Sequence, residues 1–405
     1  MNLLDEISDF DDLHRSWRSI PKKTSGEDSI SVEQFKSDVV GHLKRMRTEL
    51  KNKTYKFSAI HERKIKKKNS NKTRTINLYT LKDKIVQRSI QKAFQKKRKI
   101  LKSQCLFPEM VNDVSIAYIP KTLRSKDISG VVGSTNLVAK YINENFPVLT
   151  TMDIESFFDR IDIEQLKNII SQHLNGDTSI DWLLEQFYDP EVIKLDYDDS
   201  DFTVTSTGLK QGSILAPLFS NIFLMDFDQK LIASGIKAIR YADDLAIFSV
   251  DETQAKDQIK LVESLLQETA GIGFYKDGSK KPKILNIKRH HSVEFLGIRY
   301  SFEGGILRKY PVESKVTDLK NKITDTSNRN DLSFVEIVTK LNTSIQSWRI
   351  FYEENLKCHK GTINRMNKEI TQLYYEQMDA LLRKKGITQI PLTKKKLKYL
   401  GITIT

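Results

Sequence analysis

Apolar and polar positions alternate along this chain in runs that mark out its elements. Residues 1–60 have mainly helical spacing, and Ser31 before Val32-Glu33-Gln34-Phe35 reads as a variant capping box. Residues 61–80 alternate basic and apolar positions and predict a hairpin, while 81–105 predict an amphipathic helix. Residues 106–150 are mixed, with a helix expected over 135–145. Strands are expected near 149–153, 203–206, 237–242, 245–250 and 293–301, and helices near 162–173, 217–234 and 252–271. From Glu313 onward the pattern is helical and basic until Gly386 and Pro391 break it. No internal repeat or low-complexity segment is present.

One polar interruption of this pattern stands out. Asp243 and Asp244 lie inside the apolar run Ile239-Arg240-Tyr241-Ala242-Asp243-Asp244-Leu245-Ala246-Ile247-Phe248. Adjacent carboxylates in an apolar frame repel and lose hydration, so stability alone does not account for them. A hard divalent cation, which takes carboxylate oxygens, removes both penalties. The flanking residues read as two strands with a tight turn at the acids. A second acid, Asp153, ends the strand-like run Leu149-Thr150-Thr151-Met152, 90 residues before Asp243. If the fold joins them, three carboxylates could hold two metal ions roughly 3.5–4 Å apart. The competing reading makes Asp153 the cap of a helix starting at Ile154.

Between the acids lies Thr207-Gly208-Leu209-Lys210-Gln211-Gly212-Ser213-Ile214-Leu215-Ala216-Pro217. Its glycines permit close backbone approach, and Pro217 suits the first turn of a helix whose apolar face is Leu218, Ile222 and Met225. Such a loop can seat a base pair or a sugar. The acid-rich Asp196-Tyr197-Asp198-Asp199-Ser200-Asp201 lacks an apolar frame and reads as a solvated turn. His290-His291 has no partner ligand placed nearby and reads as a surface pair.

Together these segments resemble the reverse transcriptases of the bacterial, group II intron-like lineage. Asp153-Ile154-Glu155-Ser156-Phe157-Phe158-Asp159 is similar to that family's first palm motif. Gly208 to Asn221 is similar to its Gly-x-x-Gln-Gly-x-x-x-Ser-Pro motif, with Ala216 in place of Ser. Tyr241-Ala242-Asp243-Asp244 resembles the Tyr-x-Asp-Asp motif, and Val293-Glu294-Phe295-Leu296-Gly297 the strand that follows it. Lys72-Thr73-Arg74-Thr75-Ile76-Asn77 and Asp83-Lys84-Ile85-Val86-Gln87 resemble the fingers. Ser347-Trp348-Arg349-Ile350-Phe351-Tyr352 resembles the thumb signature, with Ser347 where Gly is usual.

The resemblance implies an α+β right-hand polymerase: fingers, a palm with an antiparallel sheet, and an α-helical thumb. The implied domains are an N-terminal helical extension at 1–60, fingers at 61–148, palm at 149–305, and thumb with basic tail at 306–405. It implies that Asp153, Asp243 and Asp244, with the backbone carbonyl of Ile154, hold two Mg²⁺ ions, Mn²⁺ being an alternative. Phe158 aligns with the steric gate that excludes a ribose 2′-hydroxyl. Gln211 and Gly212 would line the nascent base pair; Lys72 and Arg74 would meet the triphosphate; Lys281, with Lys283 close behind, would protonate pyrophosphate.

Composition narrows the setting. The 405 residues are 39% hydrophobic and carry a net charge of +14, a surplus suited to a polyanionic partner. The charge clusters at Lys64-Ile65-Lys66-Lys67-Lys68, Lys96-Lys97-Arg98-Lys99, Lys280 to Arg289, and Lys394-Lys395-Lys396. Two cysteines, Cys105 and Cys358, are too few for a disulfide framework or a Cys-rich zinc site, so the lineage's zinc-bearing endonuclease is not expected. No apolar run is long enough to cross a membrane, and the acidic N-terminus lacks a signal peptide's basic region. A cytoplasmic enzyme acting on an RNA template, dNTPs and a DNA product is expected, with homo-oligomerisation left open. The favoured role is a stand-alone antiphage enzyme that copies a non-coding RNA. The alternatives are a maturase that acts by binding intron RNA and an RNA-dependent RNA polymerase.

Overall fold

The structure is a computed structural model, and it describes residues 2–20, 30–66, 73–96, 106–119, 130–195, 208–278, 281–290 and 292–384. The chain divides into two units. The first comprises Met1–Ser134, Thr150–Phe248 and Thr253–Lys283; the second comprises Thr135–Leu149, Ser249–Glu252 and Ile284–Thr405.

The first unit opens with helices Leu3–Ile7, Phe10–Ser19, Val32–Ser37 and Val39–Lys51. Ser31 and Gln34 form the reciprocal capping box that their spacing predicts. Strands β1 (Ile60–Lys66) and β2 (Thr73–Leu78) pair antiparallel, from His61 opposite Leu78 to Lys66 opposite Thr73. The helix Leu81–Gln95 follows, capped by the Thr80 side chain. It ends before the expected residue 105, because Lys96 turns extended; 97–105 lie outside the described residues.

Strand β3 (Val148–Asp153) carries the first acidic site, and β4 (Val192–Leu195) adds parallel to β1. The apolar run on either side of the acid pair forms β5 (Lys237–Tyr241) and β6 (Asp244–Ser249), in sheet order β5-β6-β3. Ile239, Leu245, Ala246, Ile247 and Phe248 are fully buried, as expected of strands covered on both faces. The helix expected over 217–234 is two helices, Ala216–Phe223 and Met225–Ala233, broken at Leu224. The strand expected at 203–206 and the acidic run Asp196–Asp201 lie outside the described residues.

In the second unit, β7 (Lys283–Asn286) precedes a meander of β8 (Ser292–Phe295), β9 (Ile298–Glu303) and β10 (Ile306–Pro311), in order β10-β9-β8. The single strand expected at 293–301 is therefore a hairpin. Leu296 (φ 50°) and Gly297 (φ 73°) both adopt the left-handed conformation that a two-residue turn demands. Residues 306–311, just before the helical pattern expected from Glu313, pair with β9 through the turn at Gly304 and Gly305. Beyond Pro311 the helices Glu313–Ser327, Phe334–Arg349 and Lys360–Lys384 bury Ile323, Leu341, Ile370 and Met378. The side chain of His290 and all of His291 lie outside the described residues.

Candidate active site

The acid pair sits on a hairpin tip, as its apolar frame predicts. Tyr241 pairs with Asp244, which leaves Ala242 and Asp243 as the turn. Ala242 is left-handed (φ 58°), a conformation that a Cβ disfavours by about 1–2 kcal/mol. Asp243 is half-buried and Asp244 is exposed.

Asp153 arrives beside this turn through the backbone. The Ile154 N–H donates to the carbonyl of Asp243 at 3.1 Å. On its other side, Tyr275 N–H donates to Asp153 O at 3.1 Å, and Glu155 N–H to Gly273 O at 2.9 Å. Those last two bonds use the carbonyl of Asp153 and the amide of Glu155, not the carbonyl of Ile154. Asp153 ends a strand and caps no helix: the next helix, Phe157–Arg160, starts after Ser156, itself left-handed at φ 46°. The donor set is hard oxygen throughout, which suits a hard divalent cation. Among the described residues, no three His, Cys, Asp or Glu side chains are gathered into a group able to hold a metal ion. The backbones of the two acidic segments meet at the Ile154–Asp243 bond.

The glycine loop is fitted to the same region. Leu209 N–H donates to the carbonyl of Phe158 at 2.8 Å, and a Cβ on Gly208 would lie 2.1 Å from that oxygen. Phe158 is half-buried and packs its ring 5.4 Å from that of Phe157. Gly212 adopts φ +108°, and a Cβ there would lie 2.3 Å from the carbonyl oxygen of Asn77 on β2. Asn77 in turn donates its N–H (2.9 Å) and Nδ2 (3.1 Å) to the carbonyl of Gln211. The Gln87 side-chain oxygen accepts from Ser213 Oγ at 3.1 Å and from Ile214 N–H at 2.9 Å. Ser213 Oγ accepts from the amides of Leu215 and Ala216, which starts the Pro217 helix.

Lys72 lies outside the described residues, and Arg74 stands on β2 opposite Ile65. Lys281 is exposed just before β7 and makes no hydrogen bond or ion pair among the described residues.

Several residues around the site escape the sequence patterns. Arg240 is fully buried and forms a two-pronged pair with Asp228, Nε to Oδ1 at 2.7 Å and Nη2 to Oδ2 at 2.5 Å. Its Nη1 donates to Asn221 Oδ1 and to the carbonyl of Ala242, each at 3.1 Å. Asn221 also donates to Ala117 O at 2.8 Å. This network holds the strained turn from beneath. The available signal was an Arg directly after the apolar Ala238-Ile239, inside the run that frames the acid pair, which implies a buried counter-ion. Tyr118 gave no such signal. It is left-handed (φ 59°), 43% exposed, and its ring lies 6.1 Å from that of Tyr241. Burial, then Tyr241, Asp243 and Asp244, raise its hydroxyl pKa above the usual tyrosine value.

A sheet that ends in acids, backed by paired helices and approached by a glycine loop, is the palm of the right-hand polymerase fold. The family model described as reverse transcriptase (RNA-dependent DNA polymerase) matches residues 65–300, more than half of the chain. The chain belongs to the reverse transcriptase family. It is 25% identical over 247 residues to the group II intron-encoded protein LtrA of Lactococcus lactis subsp. cremoris, a match covering 60% of this chain and 35% of that relative. Among solved structures, a Candida albicans telomerase with a TWJ fragment of telomeric RNA has TM-score 0.42 at 12% identity, covering 89% of this chain and 66% of that one. A partial Cas6-RT-Cas1–Cas2 complex has TM-score 0.36 at 23% identity, covering 66% and 42%.

Proposed function

We propose that this protein is an RNA-directed DNA polymerase that adds dNTPs to a primer on an RNA template, with two Mg²⁺ ions held by Asp153, Asp243, Asp244 and the Ile154 carbonyl. The observation that carries the reading is the Ile154–Asp243 backbone hydrogen bond, which joins two acidic segments 90 residues apart. Bound metal would polarise the attacking 3′-hydroxyl and neutralise charge on the triphosphate and departing pyrophosphate. The chain's own share is placement. Asp153 and Asp243 present carboxylates from adjoining backbone, and the Arg240 network fixes the turn. Phe158 closes the sugar side. Gln211 and Gly212, pinned to Asn77, form the floor for the base pair. Arg74, Lys72 and Lys281 serve as phosphate contacts that reach the site with substrate in place. The corresponding domains are the extension at 1–60, fingers to 148, palm to 305 and thumb beyond.

The role we favour is a cytoplasmic antiphage enzyme that copies a non-coding RNA. The match to an intron-encoded protein supports a second reading, a maturase acting through intron RNA. Primer extension on RNA with labelled dNTPs separates these readings. Wild type should yield cDNA, Asp243→Asn should lose at least ~100-fold, and Phe158→Ala should admit rNTPs. An RNA-binding protein that extends no primer in Mg²⁺ or Mn²⁺ would remove the polymerase reading. Sequencing co-purified RNA decides the role: intron RNA overturns the defence assignment.

A further inference from the structure

A cationic cluster lies on a different element from the acidic turn. On the helix Leu81–Gln95, Lys84, Arg88 and Lys92 follow one another at four-residue steps, about 6 Å apart along one side. Like charges at this spacing destabilise a helix, and all three are half-buried. Burial holds each below its usual pKa; Arg88 and Arg15 lower Lys92 further against the opposing charge of Asp12, and Asp83 opposes the shift of Lys84. Arg88 and Lys92 line a cleft of about 640 Å³ against the helix Phe10–Ser19, with Glu6, Asp12, Arg15 and Lys96. The two acids pair with other cations of the same cleft, Asp12 with Arg15 at 2.5 Å and Glu6 with Lys96 at 3.5 Å. Neither Arg88 nor Lys92 pairs with a carboxylate among the described residues. Arg88 Nε is closed off from solvent and has no hydrogen-bond partner, while its Nη1 donates to Gln91 at 2.6 Å.

We propose that this cleft is a phosphate-binding site whose ligands are Arg88 and Lys92. A guanidinium fork beside an ammonium one turn away suits a multi-oxygen dianion. The volume accommodates one nucleotide unit. That phosphate belongs either to an RNA strand or to a free nucleotide. Occupancy would also touch the glycine loop, because Gln91 Nε2 donates to the carbonyl of Ile214 at 3.3 Å. The proposal is independent of catalysis and is read by binding alone.

The full chain is titrated with a fluorescent oligouridylate across a salt series, and separately with ATP by calorimetry. Arg88→Gln/Lys92→Gln is compared with Lys256→Gln/Lys260→Gln, a charge-matched change on the exposed face of the helix Glu252–Ala270. If RNA is the source, the cleft variant loses roughly tenfold in affinity and its log–log salt slope flattens by about 1.4, twice the single-strand value per contact. The control moves far less. If a free nucleotide is the source, ATP binding is lost in the cleft variant and RNA affinity holds. The charge-keeping Arg88→Lys/Lys92→Arg should retain most binding, and Lys92→Gln alone serves if the double variant misfolds. Equal effects of the cleft and control variants on both ligands, or no effect of either, overturn the site.

Discussion

Asp83 is a carboxyl group almost wholly removed from water. It accepts from the Tyr55 hydroxyl at 2.8 Å and the Ser58 amide at 3.2 Å. Burial outweighs these bonds, with that of Thr80, and pushes its pKa up to about 6. The folded chain therefore holds this proton more tightly than the unfolded chain. The stabilisation is complete below pH ~4 and lost as pH climbs through about 6. Thermal melts should show Asp83→Asn gaining on wild type across that window, by at most roughly 3 kcal/mol. A constant gap between the two from pH 4 to 7 would contradict this. At this scale the sequence was most informative where polarity broke a pattern. Asp243 and Asp244 were visible because apolar residues surround them. Arg240 broke the same pattern three residues earlier, but its partner Asp228 sits on a helix and its role needs three dimensions. Tyr118 is an ordinary aromatic until its backbone angle and neighbours are known.

Elements show how the parts are held. The Arg240 guanidinium joins β5, the helices Ala216–Phe223 and Met225–Ala233, and the Ala242 turn. Asp228→Ala leaves that cation buried and unpaired, so denaturant melts should show a loss of about 3–5 kcal/mol. Asp228→Ala/Arg240→Met removes the charge as well. It should regain much of the stability but not the primer-extension rate, because the Ala242 carbonyl has lost its donor. Full recovery of the rate would show that the turn needs no such support. Gly212→Ala is the companion test on the loop. Its Cβ would strike the Asn77 carbonyl, so KM for dNTP should rise about tenfold or more with the fold intact by circular dichroism. The hairpin at 241–244 was legible from alternation and a turn. The break at Leu224 was not, because apolar positions continue helically across it. The Leu296-Gly297 turn was hidden because a bulky residue occupies a left-handed position that usually selects Gly or Asn.

At the scale of the whole molecule, pairing over long separations was beyond the sequence patterns. β4 joins β1 in parallel across more than a hundred residues, and Asn77 meets Gln211 134 residues away. Local periodicity carries no information about such partners. Net charge did transfer to this scale. A chain of +14 should bind RNA of unrelated sequence with similar affinity at low salt, and gel shifts should show that binding fall steeply as salt rises. Sequence-selective binding that survives high salt would instead point to base or shape readout. Among the described residues, no helix is long and apolar enough to cross a membrane.

The amide-to-carbonyl staple between Ile154 and Asp243 has a practical corollary. Main-chain atoms do the joining, so neutralising either aspartate should disarm the proposed chemistry while the scaffold keeps its form. An Asp153→Asn or Asp243→Asn protein is thus a natural bait: expressed in cells and cross-linked, it should stall on its cognate transcript and let that molecule be pulled out and read.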